Sequence, residues 1–412
     1  MHPVMKPALR RGWRDRDTVQ FGMTPAHAQT LGPMDAATRG FLDLLNGTRG
    51  LSLLREEGRR MDLPAGRIDT LLERLTRAGL VDDARGGGPA ADALRTQDEV
   101  LSRLRPDLTS LSLTTAEPGG ALARLAARRA LSVRVDGAGR VGAVLASALS
   151  GAGVGEVDVR DTGRVEPWDV APGGLPAESI GERRDAAARA AVRRAAPHRP
   201  RRHAHSPGSG ARDPGLCLVI VTPRDDVAVY APDPVAAEPL MASGTPHLYA
   251  GVVEGTGIVG PLVLPGESSC AGCLHFDRGD RDPAWPRLIA QWRSARARRV
   301  GACDLTLATA VAGLAAAHAL AFLDGEPPVG AGTRWEVSLP GLDWRARPVR
   351  AHPACGCGAA EQAVEKAEEK AKGEHSSTNG KPRATMAVQR PSTERRSESG
   401  AARPTGTWRA HV

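Results

Sequence analysis

Four of the six cysteines fall in two tight pairs, Cys270-Ala-Gly-Cys273 and Cys355-Gly-Cys357. Each pair carries a glycine beside its thiols, so backbone N–H groups can turn toward the sulfurs. Two such knuckles make a four-thiolate tetrahedral set, which selects zinc and leaves no position open for water. The expected role is structural, stapling the C-terminal end of a domain to the segment near residue 270. Two pairs of free thiols are the competing reading. A second constellation is Gly137-Ala-Gly139-Arg-Val-Gly142. Its glycines permit a tight turn and let backbone N–H groups approach a phosphate at a helix N-terminus. Asp161 lies 24 residues after the first of them, where an acid at a strand end can hydrogen-bond ribose hydroxyls. Turn and acid together favour nucleotide binding over a merely tight turn, and an NAD-dependent enzyme stays allowed.

Such a turn needs a strand before it and a helix after it. The pattern predicts a strand over Leu131–Val135, a helix over Ala143–Ser150 and a second strand over Val157–Asp161. That is a βαβ unit, which implies a parallel sheet. Further strands are expected at Leu216–Thr222 and His247–Val253, with a helix over Val235–Ser243 between them. The apolar run Leu305–Leu323 carries His318 and meets the length of a membrane span only narrowly, so it reads as a buried helix.

Ahead of this domain, residues 1–85 read as a small module. A short strand at Asp17–Gly22 precedes helices over Asp35–Leu45, Leu51–Glu57 and Pro64–Ala78, and Leu80–Asp82 begins an edge strand or wing. Three short helices and a strand make a winged-helix pattern. Residues 84–92, rich in Gly, Ala and Pro, mark a boundary. Linker helices are expected over 94–105 and Ala121–Ala130, within 86–130. Residues 185–215 and 361–412 lack apolar periodicity and read as a disordered insert and tail.

The composition narrows the chemistry. A chain of 412 residues, 41% hydrophobic, suffices for two domains with proper cores. It has 50 Arg but only five Lys, none between residues 7 and 365, which excludes a lysine mechanism in the folded part. The net charge of +8 sits in residues 182–215 and 361–412, which carry +6 and +3. The rest is near neutral, so a broad nucleic-acid face is not implied. The helix Pro64–Ala78 mixes Arg67, Arg74 and Arg77 with Asp69 and Glu73, which disfavours DNA. Six cysteines are too few for a disulfide framework and the N-terminus shows no apolar signal core, so a soluble, cytoplasmic protein is expected. Cys217 and Cys303 read as packing residues and His275 as surface. Asp277, Asp280 and Asp282 read as a solvated turn, lacking the bidentate Glu of a calcium loop.

In combination, the glycine turn, "AGVGEVDVRD" into Asp161, Val165–Glu166 and the two cysteine pairs resemble the ThiF/MoeB-type family of ubiquitin-like-protein-activating adenylyltransferases. The run "ATAVAGLAAAHALAFLDG" is similar to the family's helix after its crossover loop. The resemblance covers 131–358 and tells against NAD. It implies an α/β, Rossmann-like domain with a mainly parallel sheet over 131–360, Mg-ATP as cofactor, and adenylation of a peptide or small-protein C-terminal carboxylate. Gly137, Gly139 and Gly142 would hold the phosphates and Asp161 the ribose. The family's lysine falls on Arg184 and its distal acid on Asp225, beside Asp226. The second acid of its Asp-x-Asp is Gly163 here, and its Asn and Arg fall on Asp169 and Pro172. Loss of one such phosphate contact costs about 3–4 kcal/mol of transition-state stabilisation, so the fold can persist while the chemistry fades.

The segment Gly257–Pro265 followed by "CAGCLHFDRGDRDPAWPRLIAQW" resembles an actinobacterial branch found with thiazole/oxazole-type peptide pathways. There the N-terminal module is similar to a leader-peptide recognition element, which takes an extended peptide as an added strand. The resemblance thus implies a precursor peptide or ubiquitin-like small protein as partner, a possible modifying enzyme, and a homodimer. A catalytically degenerate scaffold that binds a leader peptide is the alternative.

Overall fold

Apolar positions repeating every three to four residues in the first 85 become helices α1 (Ala36–Asp43), α2 (Leu51–Arg60) and α3 (Arg67–Arg77). The Asp35 carboxylate accepts the Thr38 N–H at 2.7 Å and so fixes where α1 begins. Helix α3 buries Ile68, Leu71, Leu72 and Leu75, the stripe its spacing predicts. Ahead of the helices lie β1 (Pro3–Met5), β2 (Arg11–Trp13), β3 (Val19–Phe21) and β4 (Gln29–Leu31); β5 (Val81–Asp83) follows them. Strands β2, β3 and β4 form an antiparallel sheet, whose Val19, Phe21 and Leu31 share one core with the helices. Strand β5 pairs with β1, so the strand after the third helix closes on the N-terminus.

The computed structural model describes residues 1–198, 216–224, 226–295, 300–328, 330–366 and 368. The chain divides into units Met1–Glu365 and Lys366–Val412. Of the second, residues 366 and 368 are described, both helical; the rest of the expected tail lies outside the described residues. The linker region is three helices, α4 (Gly88–Arg95), α5 (Asp98–Thr114) and α6 (Gly120–Arg128), sharing Ala91, Leu94, Leu104 and Leu125 as a satellite core. Lys6 reaches them from the N-terminal module and donates to the Thr115 carbonyl at 2.8 Å in a buried bond.

The main sheet follows. Its first elements are β6 (Ser132–Asp136), α7 (Arg140–Gly151), β7 (Glu156–Arg160), α8 (Arg184–Ala195) and β8 (Leu216–Val221). Then come α9 (Asp226–Tyr230), α10 (Pro234–Ala242), β9 (His247–Val253), β10 (Thr256–Val263), α11 (Ala271–Arg281) and α12 (Trp285–Ser294). Helix α13 (Leu305–Leu323) and strands β11 (Thr333–Ser338) and β12 (Arg345–Pro348) complete it. The seven strands run in the order β12-β11-β10-β9-β8-β6-β7.

Two expectations need correction. The sheet is mixed rather than mainly parallel: pairings from β7 to β9 are parallel and those from β9 to β12 antiparallel. The change of direction follows from the two-residue turn Glu254-Gly255, both at positive φ, which makes β9 and β10 a hairpin with no crossover helix. The expected disordered insert begins with an ordered helix, α8, which buries Ala187, Ala188, Ala191 and Val192 at helical spacing. Alanine is a weak hydrophobic signal but the best helix former. Residues 199–215 of that insert lie outside the described residues. Helix α13 is, among the described residues, long and apolar enough to cross a membrane. It lays Leu307, Val311, Ala312, Ala315 and Ala319 against α7, β9 and β10 as part of the main core.

Candidate functional site

Strand β6 ends at Asp136 and the chain turns through Gly137 at φ +116° before α7 begins. A Cβ on Gly137 would collide with the Thr222 carbonyl oxygen, and one on Gly142 with the Gly137 oxygen and Thr222 Oγ1. Both positions therefore exclude any side chain, and Thr222 Oγ1 donates to the Gly137 carbonyl at 2.9 Å to lock the turn. Gly139 differs: its Cβ would lie 3.1 Å from Arg224 Cγ, a flexible neighbour. The turn sits at the carboxyl end of the central parallel strands, where open α/β sheets bind ligands.

Asp161 stands across from the turn just past β7. Its Oδ2 accepts the Ala138 N–H at 2.6 Å, and its Oδ1 accepts from Arg184 Nη1 at 2.7 Å. Arg184, at the start of α8, also donates to Asp169 Oδ2 at 3.1 Å, to the Thr162 carbonyl at 2.6 Å and to the Arg164 carbonyl at 2.5 Å. Gly163, in the left-handed region at φ +85°, turns the chain between those two carbonyls. Asp169 ends the 3-10 turn Pro167–Asp169 and accepts from the Glu166 N–H at 3.0 Å. The arginine is thus committed to holding three segments together.

Arg224 completes the cluster. Its Nη2 lies 2.6 Å from Glu166 Oε2 and 2.9 Å from Asp169 Oδ1. Burial works against its charge, but Glu166 and Asp169 outweigh this and hold the guanidinium above its ordinary range. Around these groups opens a cleft of ≈ 760 Å³, walled by the turn and by Arg160, Arg164 and Pro223. The structure brings Gly137, Gly139, Gly142, Asp161 and Arg184 together here. Asp225 lies outside the described residues. Sequence reasoning missed Arg224, although a Thr-Pro-Arg step at the carboxyl end of a central strand is a signal for a site residue.

The four cysteines also meet. All their sulfurs lie within 4.8 Å of one another. Cys270 Sγ is 3.6 Å from Cys355 Sγ and 4.0 Å from Cys273 Sγ, and Cys273 and Cys357 are 3.5 Å apart. A tetrahedral zinc with Zn–S bonds of about 2.3 Å needs sulfurs about 3.8 Å apart, so the set could hold that ion. Gly272 is required: a Cβ there would press within 2.9 Å of Cys355 Sγ. The His352 N–H donates to Cys273 Sγ at 3.4 Å. The bond from Cys270 pulls the Cys273 thiol down to about 4, while Cys270 is pushed up by the same bond and by burial. Burial raises Cys357 to about 11. Binding of a divalent cation deprotonates thiol ligands. The cluster joins the first turn of α11 to the segment after β12, the stapling the spacing implies.

Residues 117–359 match the model of the ThiF family. No curated protein sequence matches the chain. Among solved structures, E. coli MccB with ATP superposes with a TM-score of 0.62 at 14% identity, covering 87% of this chain and 99% of that one. E. coli MccB with selenomethionine-labelled MccA gives 0.62 at 13%, covering 87% and 99%. PaaA gives 0.59 at 15%, covering 84% and 99%. The family match spans more than half of the sequence and contains both the glycine turn and the four cysteines, and the chain belongs to the ThiF family.

Proposed function

We propose that the protein is a ThiF-type, ATP-dependent adenylyltransferase that activates a C-terminal carboxylate of a peptide or small protein. The observation that carries this reading is the glycine turn that opens α7: Gly137 lines the same open cleft as Asp161, Arg184 and Arg224. The N–H groups of a helix's first turn have no intrahelical acceptor and can meet a phosphate. MccB, of like fold, has been solved with ATP and, as a biosynthetic enzyme, with N-formylated MccA, which supports a nucleotide and a peptide substrate here.

In this reading ATP supplies an α-phosphate open to attack by the carboxylate, with Mg²⁺ balancing charge. The chain's own residues do the positioning. The Gly137 N–H is spent on the Arg160 carbonyl at 2.8 Å, so the donors left for a phosphate are those of Gly139 and of the first turn of α7, which includes Gly142. Asp161 faces the ribose with its orientation fixed by the Ala138 N–H and Arg184. Arg224, on the rim against Gly139, is better placed than Arg184 to follow a phosphate, because its side chain is about one-third exposed while Arg184's is 6%. The proposed zinc at Cys270, Cys273, Cys355 and Cys357 is structural. Residues 1–85 serve as the peptide-recognition module. A homodimer or a partner modifying enzyme, and a cytoplasmic location, belong to the same reading.

A second reading is favoured by one observation. Arg184, Asp169, Glu166 and Arg224 pair with one another in the cleft, leaving its charges nearly balanced. A site so neutralised suits a scaffold that binds a leader peptide for a partner enzyme. Peptide-dependent exchange of labelled pyrophosphate into ATP separates the two. Exchange above background supports the enzyme; binding of peptide with no exchange supports the scaffold.

A further inference from the structure

A second cavity, of ≈ 620 Å³, opens on the face of the antiparallel half-sheet away from α13. Side chains alternate along a strand, so Arg334, Glu336 and Ser338 of β11 share this face. Register places Ser338 opposite Thr256 and Glu336 opposite Ile258. Arg334 therefore lies about 13 Å further along the strand than the Thr256–Ser338 rim. Tyr230 and Trp292 wall the cavity, with ring centroids 6.3 Å apart.

Arg334 is buried to 2% exposure. It donates from Nη1 to the Tyr230 carbonyl at 2.7 Å, pairs through Nε with Glu336 at 2.9 Å and rests 5.3 Å from the Tyr230 ring centroid. Its Nη2 is buried without a hydrogen-bond partner, as is Nη1 of Arg278, whose guanidinium lies over Tyr230 at 4.0 Å and Trp285 at 4.8 Å. Leaving such donors unmade is costly, and a buried cation with open N–H groups calls for an acceptor. Burial, then the nearby Arg278, push Arg334 down to about 10, so it stays charged at neutral pH.

We infer that this cavity recognises a carboxylate-bearing side chain of the peptide substrate, taken by Arg334 Nη2 at its base. The inference rests on the reading that the substrate is a peptide. The aromatic walls suit the methylene stem of an acidic side chain, while Asp226, Glu254 and Glu336 in the lining oppose a free dianion. Strands β10 and β11 stand three and four places from β6 in the sheet order, about 14 and 19 Å at normal strand spacing. The group held here is therefore separate from the carboxylate activated at the glycine turn, and lies about four to six extended residues from it.

The test is tryptophan fluorescence of the full chain titrated with N-acetyl-glutamate N-methylamide, its glutamine counterpart, acetate and inorganic phosphate. The glutamate probe should saturate, with the glutamine probe weaker by about tenfold or more. Arg334→Lys should weaken the glutamate probe by a similar factor. Glu336→Gln, which removes the competing anion at a partly exposed position, should tighten it. Equal binding of the glutamate and glutamine probes overturns the inference. So does tighter binding of phosphate, unchanged binding in folded Arg334→Lys, or no saturable response. Acetate binding as well as the glutamate probe would mean a free small carboxylate and refute the peptide source. ATP titrated into the same samples should be insensitive to Arg334→Lys, so loss of ATP binding alone sinks the nucleotide reading and leaves this one standing.

Discussion

Replacing Arg184 with methionine should destabilise the protein by about 3 kcal/mol. The arginine side chain is 6% exposed, and its partners Asp161 and Asp169 are 9% and 4% exposed. Removing the cation strands two carboxylates in a poorly solvated site. Breaking a buried pair in this way costs about 3–5 kcal/mol. The low end applies because Asp161 keeps the Ala138 N–H and Asp169 keeps Arg224. Two carbonyls, of Thr162 and Arg164, also lose their donor. Urea denaturation followed by circular dichroism reads the change. With a slope of about 3 kcal/mol per molar, the midpoint should fall by about 1 M. Arg184→Lys should fall in between, because one ammonium cannot serve four acceptors spread around a planar fork. A methionine variant whose midpoint moves by less than about 0.2 M would refute the claim that this network organises the cleft.

Other outcomes follow from the same structure. Elemental analysis should find a single zinc per chain, and Cys355→Ser should release it with a drop in Tm of about 5 °C or more. Gly137→Ala should cost about 2–4 kcal/mol in denaturant melts. Gly173→Ala, at φ +74° with open space around it, should cost only about 1 kcal/mol of backbone strain; equal costs would mean the Thr222 collision is not felt. His247 is buried, and burial lowers it from its ordinary 6.5. Its depressed folded value means its contribution is present above pH 6.5 and lost as pH falls through the folded value, since the unfolded state binds the proton first. Stability should therefore decline more steeply below pH 6.5 in the wild type than in His247→Gln, and parallel curves would contradict this.

Sequence patterns revealed the site's frame better than its contents. Leu305–Leu323 and His247–Val253 could be read to the residue, because predominantly apolar runs between turn signals leave few alternatives. The thiol cluster was legible because two knuckles have few other uses. Strand β10 was hidden by Gly257, Gly260 and Pro261, which read as turn signals but here accommodate a bulge against β9. Helix α8 was hidden by its arginines, although one of them, Arg184, lies at the heart of the cleft. Charge patterning shows where cations are, not which acids will fold onto them. Arg334 was invisible for the same reason: a buried arginine on a strand looks like an exposed one until its neighbours are known.

The proposed activity requires nucleotide binding at the glycine turn. Calorimetric titration of the full chain with Mg-ATP tests it, beside Asp161→Asn, which keeps an acceptor for the Ala138 N–H but removes the charge. Saturable binding at one site in the micromolar range, weakened at least about tenfold in the variant, is the predicted result. No heat up to millimolar ATP, or equal binding by both proteins, would contradict it.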